Sequence, residues 1–283
     1  MIIFFKKSTI NWCESDYYYS KYIAEMYNTL TGICLCVSSI LFYYNYKNVN
    51  TYKNVLVNLY PSLILLFIIG VGTFLFHGTL LYVFQLLDEL PMLLLCIEYY
   101  RILTTILKYN SLNYKNKEKD ALFNLQLIIL QIFLCITIAT LGFINDILQI
   151  VFFQLTIFIF VIIDCIKLYK VFVKHNMYYD NLRIKKIKAE EDFLYNYECL
   201  SKLINIKNNI IKFHNYNKEL KSSLSIAVVT SVMSVIVWKY DQLQCNYNYS
   251  NIISGHAIWH ILTSISLYYV NKMILIFYHC NCV

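Results

Sequence analysis

The stretch from residue 55 to residue 77, VLVNLYPSLILLFIIGVGTFLFH, contains no Asp, Glu, Lys or Arg. Coiled as a helix at about 1.5 Å per residue, it is long enough to cross the roughly 30 Å hydrocarbon core of a bilayer. Six further apolar runs approach spanning length, near 24–45, 87–108, 121–143, 147–167, 222–240 and 256–277. The split between 121–143 and 147–167 rests on Asn145 and Asp146 alone. Composition agrees with lipid as the main solvent: 59% of the residues are hydrophobic and 14% are charged, against roughly 25% charged in a soluble domain. With 2 Pro and 6 Gly there are few breakers. The reading is an all-α membrane protein, one domain over 1–283 folded as a seven-transmembrane helix bundle.

The basic residues orient it. Lys47 and Lys53 flank one inter-span loop, Lys115, Lys117 and Lys119 fill a second, and Lys170 to Lys221, with Arg183, Lys185, Lys186 and Lys188, populate a third. The opposite loops, 78–86, 144–146 and 241–255, have no Lys or Arg. The positive-inside rule therefore puts the C-terminus in the cytosol and the N-terminus in the lumen or outside. Lys6 and Lys7 run against this, and by interrupting the apolar lead MIIFF they also argue against a cleavable signal peptide. Cations gathered on one membrane face account for the formal net charge of +7, so a nucleic-acid partner is not expected. The 168–221 segment reads as a long basic cytosolic loop. It is either a solvated connection or an amphipathic helix drawn to anionic lipid.

Topology divides the histidines. His175, His214 and His279 fall in cytosolic segments without partners at ligand spacing. His77 closes the second span, and His256 and His260 open the seventh on one helical face, so all three share one depth on the same side. Ionisable groups there are costly and mark function. Three neutral imidazoles suit Zn2+ with a fourth position left open, the arrangement of a catalytic site. Thr73 lies one turn before His77 on its face. Asp88, past a short turn, is either a general base for an attacking water or an acid at a helix N-terminus, as Glu89 is also read. Asn11, Glu14, Asp16 and Glu25 are hard oxygen donors of the kind Ca2+ takes, although their spacing alone reads as a solvated acidic lead-in. Of ten cysteines, only Cys13 and Cys245 fall in loops of the compartment where disulfides persist.

Three blocks carry a resemblance. Asn11-Trp12-Cys13-Glu14 with Tyr22-Ile23-Ala24-Glu25 and Asn28-Thr29 resembles the amino-terminal signature of the alkaline ceramidases. Phe76-His77-Gly78-Thr79-Leu80 with Gln85-Leu86-Leu87-Asp88-Glu89-Leu90-Pro91-Met92 is similar to their second block, and His256-Ala257-Ile258-Trp259-His260-Ile261-Leu262-Thr263 to their third. The resemblance implies an intramembrane hydrolase that cleaves ceramide to a sphingoid base and a fatty acid. It implies Zn2+ on His77, His256 and His260, and Asp88 as the base. It implies Ca2+ on Asn11, Glu14, Asp16, Glu25 and the Trp12 carbonyl, and a disulfide between Cys13 and Cys245. The family usually has serine at the position of Thr73, to steady the oxyanion, and its calcium-site Asp and Asn stand exchanged as Asn11 and Asp16. The 168–221 loop exceeds the family's usual connection. The expected location is a membrane of the endoplasmic reticulum or Golgi. The alternatives are a related hydrolase of another lipid ester or amide, or a seven-helix receptor or scaffold with structural zinc. The last would need neither Asp88 nor a hydroxyl at Thr73.

Overall fold

The computed structural model describes residues 5–50, 52–109, 117–195, 200–245 and 254–282. Lys115 and Cys199 lie outside them, as does much of the 241–255 loop. The order is α1 (Met26–Tyr46), a short α2 (Lys53–Leu56) running through a 3-10 turn into α3 (Tyr60–Thr79), α4 (Tyr82–Tyr109), α5 (Lys117–Ile144), α6 (Asp146–Tyr195), α7 (Leu200–Gln244) and α8 (Gly255–Cys282). Seven of these helices are long and apolar enough to cross a membrane: Met26–Tyr46, Val57–Thr79, Tyr82–Lys108, Asp120–Ile144, Asp146–Tyr178, His214–Leu243 and Gly255–Cys280. The chain is an integral membrane protein. Among the described residues there is no strand, only an isolated bridge between Lys7 and Leu81.

Local chemistry explains the breaks. Pro61 sits in the first turn of α3, where its missing N–H is no loss. Asn145 separates α5 from α6 by accepting the Leu148 N–H on its side chain at 3.0 Å, an N-cap. The α3–α4 corner turns on Leu80, which is left-handed at φ 52, a conformation that costs a residue with a Cβ. The N-terminal strap holds that corner, since Ser8 N–H donates to the Leu80 carbonyl at 2.9 Å and Tyr82 N–H to that of Lys6 at 2.9 Å.

The described residues of the 168–221 segment are helical. Residues to Tyr195 continue α6 and residues from Leu200 belong to α7, joined across by His175 Nε2 and Asn217 Oδ1 at 2.9 Å. The change from apolar to basic composition marks where lipid ends, and a helix is free to continue past that boundary.

The packed centre is made by α1, α3, α4 and α8. Leu59, Leu66, Ile102 and Phe277 are buried together, and Tyr82, Leu93, Ile97 and Ile138 form a second cluster between α4 and α5. By contrast α5 and α6 expose Ile128, Phe133, Leu148 and Phe158, apolar surface suited to lipid.

Gly72 sets the approach of α3 to α4. A Cβ there would stand 2.4 Å from the Leu87 carbonyl oxygen and 2.7 Å from the Asp88 nitrogen. Pro91, inside α4, has no N–H to offer the Leu87 carbonyl, so this carbonyl faces Gly72 instead. Gly72→Ala is expected to cost about 1–3 kcal/mol, as overpacked sites do, because backbone atoms cannot rotate aside. The check is a lowered thermal midpoint together with lost activity, since the displaced segment carries Asp88.

Candidate metal centre

The last turn of α3 and the first turns of α8 bring His77, His256 and His260 together. Each offers one ring nitrogen, and these atoms lie within 4.8 Å of one another. The ring centroids are 5.1 Å apart for His77 and His256, 5.1 Å for His77 and His260, and 4.6 Å for His256 and His260. All three side chains are buried. The start of α8 that aims two of them is fixed from three sides. Ser254 accepts the Ala257 N–H at 3.1 Å and donates to Asn28 Oδ1 at 2.7 Å, while Asp241 Oδ1 in α7 accepts the Gly255 N–H at 2.7 Å.

The far nitrogens test whether the set fits a metal. His77 Nδ1 meets Glu25 Oε2 at 2.5 Å, and a carboxylate there calls for the Nδ1–H tautomer. His77 Nε2 is buried with no hydrogen-bond partner among the described residues, which leaves its lone pair for an ion. His260 Nδ1 lies 3.0 Å from Thr31 Oγ1. The Thr31 hydroxyl already donates to the Tyr27 carbonyl at 2.8 Å, so it accepts from His260 and directs Nε2 inward. This is how metal-binding imidazoles are held, by a partner on the other nitrogen. His256 Nδ1 is buried and has no hydrogen-bond partner among the described residues. Instead its ring stacks on the Trp12 indole at 3.8 Å between centroids, 16° between planes.

Asp88 and Thr73 also meet. The Thr73 hydroxyl donates to Asp88 Oδ1 at 2.6 Å, with the Ile69 carbonyl 2.8 Å away as its alternative acceptor. Both residues are buried. Glu89 belongs to a different network. Its Oε1 accepts from Gln85 Nε2 at 2.9 Å and its Oε2 from Gln149 Nε2 at 2.5 Å. Gln85 in turn accepts the Thr9 N–H at 2.8 Å, tying the strap to α4 and α6. Glu89 is thus more than an acid answering a helix dipole.

The acidic N-terminal residues fold over the same end of the bundle. Glu25 accepts from Asn28 Nδ2 at 2.9 Å and from Trp12 N–H at 3.1 Å. Glu14 receives the Tyr27 and Asn28 amides of α1 at 2.7 and 2.9 Å. Asn11 Nδ2 donates to Asp16 Oδ2 at 3.1 Å. Burial pushes the Glu25 carboxyl up to about 7, against the pull of its bonds from Asn28 and Trp12. Burial also raises Glu14 and Asp16, and the charge of Glu25 raises both further. Cys13 and Cys245 form a disulfide with Cα atoms 5.0 Å apart, clipping the strap to the end of α7.

Sequence reasoning named the three histidines, Asp88, Thr73 and Glu25. It missed Thr31, the Trp12 indole and the direct contact of Glu25 with His77. The sequence offers no signal for these contacts, because the Thr31 contact depends on how α1 packs against α8 and the other two on how the N-terminal residues cross the mouth of the bundle.

The family model described as Ceramidase matches residues 5–282. Alkaline ceramidase YPC1 of Saccharomyces cerevisiae is 28% identical over 278 residues, covering 93% of this chain and 74% of the yeast protein. Alkaline ceramidase 1 of Homo sapiens is 25% identical over 275 residues, 95% of this chain and 82% of the human one. The alkaline ceramidase of Arabidopsis thaliana is 35% identical over 85 residues, 30% of this chain and 32% of the plant protein. With its whole described bundle inside one family model, this seven-helix chain belongs to the alkaline ceramidase family.

Proposed function

We propose that the protein hydrolyses the amide of ceramide within the membrane, releasing a sphingoid base and a free fatty acid, with Zn2+ held by His77, His256 and His260. The observation that carries this is the convergence of three buried imidazoles, two of which are already fixed through their far nitrogens by Glu25 and Thr31. When bound, zinc would acidify water and polarise the amide carbonyl. Asp88 is the base that takes the proton from the attacking water and returns it to the leaving amine. Thr73 first orients Asp88 by donating to Oδ1. Once protonated, Asp88 becomes a donor itself, and the Thr73 hydrogen is released to turn toward the developing oxyanion. The reading includes an N-terminus and metal site in the lumen or outside, in the endoplasmic reticulum or Golgi.

Purified protein incubated with acyl-labelled ceramide, with and without a chelator, is the test. Free labelled fatty acid should appear and should vanish on chelation. Release unaffected by metal removal would exclude the zinc reading, and absence of release from ceramide alongside release from another lipid amide or ester would exclude the substrate.

A second ion, Ca2+, is proposed on Asn11, Glu14, Asp16, Glu25 and the Trp12 carbonyl. Burial raises the Glu14 and Asp16 carboxyls and the charge of Glu25 adds to it, which is what a cation relieves, and a carboxylate oxygen that accepts one backbone bond still has a lone pair for an ion. Calcium should raise both the thermal midpoint and the activity of the wild type, and Glu25→Gln should blunt both responses. Because Glu25 also touches His77, Asp16→Asn provides the separate arm, in which the calcium response falls while zinc content stays. A wild-type calcium response in both variants would rule out this site.

A further inference from the structure

We propose that the indole of Trp12 is the positioning residue for His256, acting through ring stacking where the other two histidines use hydrogen bonds. This rests on the zinc reading above and assigns the Trp12 side chain a role separate from that of its backbone carbonyl.

His77 and His260 each have one nitrogen tied, to Glu25 and to Thr31. Their tautomers and ring planes follow from those bonds. Among the described residues His256 has no such bond, and its Nδ1 is buried without a partner. Left so, the ring could turn about its terminal torsion, which is broad for an sp3–sp2 bond. A metal ligand free to turn must be ordered when the ion arrives, at a cost in affinity. The Trp12 ring removes that freedom. It lies 3.8 Å from His256 and within 16° of parallel, so rotation of the imidazole would drive its edge into the indole face. Trp259, one turn along α8, holds a second stacked contact at 5.1 Å and 19°.

Trp12 can serve as a fixed wall because it is itself held. Its N–H donates to Glu25 Oε1 at 3.1 Å, the residue that also orients His77. Its neighbour Cys13 is bonded to Cys245 at the end of α7. Its ring also leans on Trp238 of α7, with centroids 6.4 Å apart. The indole Nε1 is buried and unpartnered among the described residues, so packing against the imidazole, and no hydrogen bond of the indole, keeps the ring in place. One short strap thereby sets two of the three ligands, His77 through Glu25 and His256 through Trp12.

The experiment measures zinc retention by the holoenzyme against increasing chelator, in wild type, Trp12→Phe, Trp12→Leu and His256→Ala. Trp12→Leu keeps apolar bulk but removes the flat face, and it should retain zinc about 10- to 100-fold less tightly, the usual loss when an outer partner of a ligand goes. Trp12→Phe keeps a face and should recover most of that loss. Cobalt exchanged into the Trp12→Leu protein should show a shifted visible absorption band while the thermal midpoint of the metal-free protein stays near wild type, which a merely structural role would not produce. Wild-type zinc retention and an unshifted cobalt band in Trp12→Leu would overturn the proposal. Full zinc in His256→Ala would instead overturn the ligand reading on which it rests. Should Trp12→Leu fail to fold, the chain's three tryptophans allow another route. A Trp238→Phe, Trp259→Phe double variant leaves Trp12 as the sole indole emitter, and bound cobalt should quench it more strongly than it quenches Trp238 in the matching Trp12→Phe, Trp259→Phe protein. Equal quenching of the two would also overturn it.

Discussion

Alanine in place of His77, His256 or His260 is expected to remove bound zinc and to lower ceramide turnover by more than the roughly 10- to 100-fold that loss of an outer-shell partner costs. In the proposed site each supplies one of three protein ligands, and among the described residues no other His, Cys, Asp or Glu joins the group. Thermal stability should separate the three. His77→Ala leaves Glu25 Oε2 with only the Asn28 amide, a buried carboxylate short of a partner, and such groups are expensive to leave. That variant should unfold at lower temperature than wild type stripped of metal. His256→Ala leaves no carboxylate unpaired, since its Nδ1 has no hydrogen-bond partner among the described residues, so its midpoint should fall less than that of His77→Ala, by the lost stacking on Trp12 and Trp259. Elemental analysis gives zinc per chain and a melting curve gives the midpoint. Full zinc occupancy in any of the three would take that histidine out of the ligand set.

The sequence made the spans legible because a bilayer imposes one simple demand, an uninterrupted apolar run of fixed length. It made the histidine triad legible for a related reason. His256 and His260 share a face by helical period alone, and the depth of His77 follows from where its span ends. The ends of α6 and α7 were not legible, because residues such as Lys170 and Tyr178 mark the exit from lipid and say nothing about where a helix stops. Nor was the strap, since the path of residues 6–16 depends on a bridge to the left-handed corner at Leu80. The stacking of Trp12 on His256 is a consequence of that path, and the bond of Glu25 to His77 follows from the way the start of α1 meets the end of α3, where the Glu25 N–H donates to the His77 carbonyl at 3.0 Å. Thr73 was legible as a hydroxyl on the face of His77, but its bond to Asp88 depends on how closely Gly72 lets α4 approach.

Asp88→Asn should leave zinc content and thermal midpoint close to wild type while lowering kcat by about 10^2–10^4-fold, the range in which a positioned acid–base group contributes. The amide is nearly the same size and can still bond the Thr73 hydroxyl through its carbonyl oxygen, so the α3–α4 contact survives. What it loses is the ability to accept a proton from water. The adjacent carboxylate supplies the control. Glu89 is held by Gln85 and Gln149, in the network that reaches Thr9 and away from Thr73. Glu89→Gln should therefore act mainly on the thermal midpoint, and its effect on kcat should be much the smaller of the two. At position 73, serine should support near-normal turnover and valine should be slow, because only valine leaves Asp88 Oδ1 without its donor at 2.6 Å. The two substitutions also probe each other. If Thr73 acts through Asp88, adding Thr73→Val to Asp88→Asn should cost much less than Thr73→Val costs alone, the non-additivity of groups that work as one unit. Single-turnover rates with labelled ceramide measure all four proteins. Near-normal turnover by Asp88→Asn would assign the proton to another base, and full additivity of the pair would separate Thr73 from it.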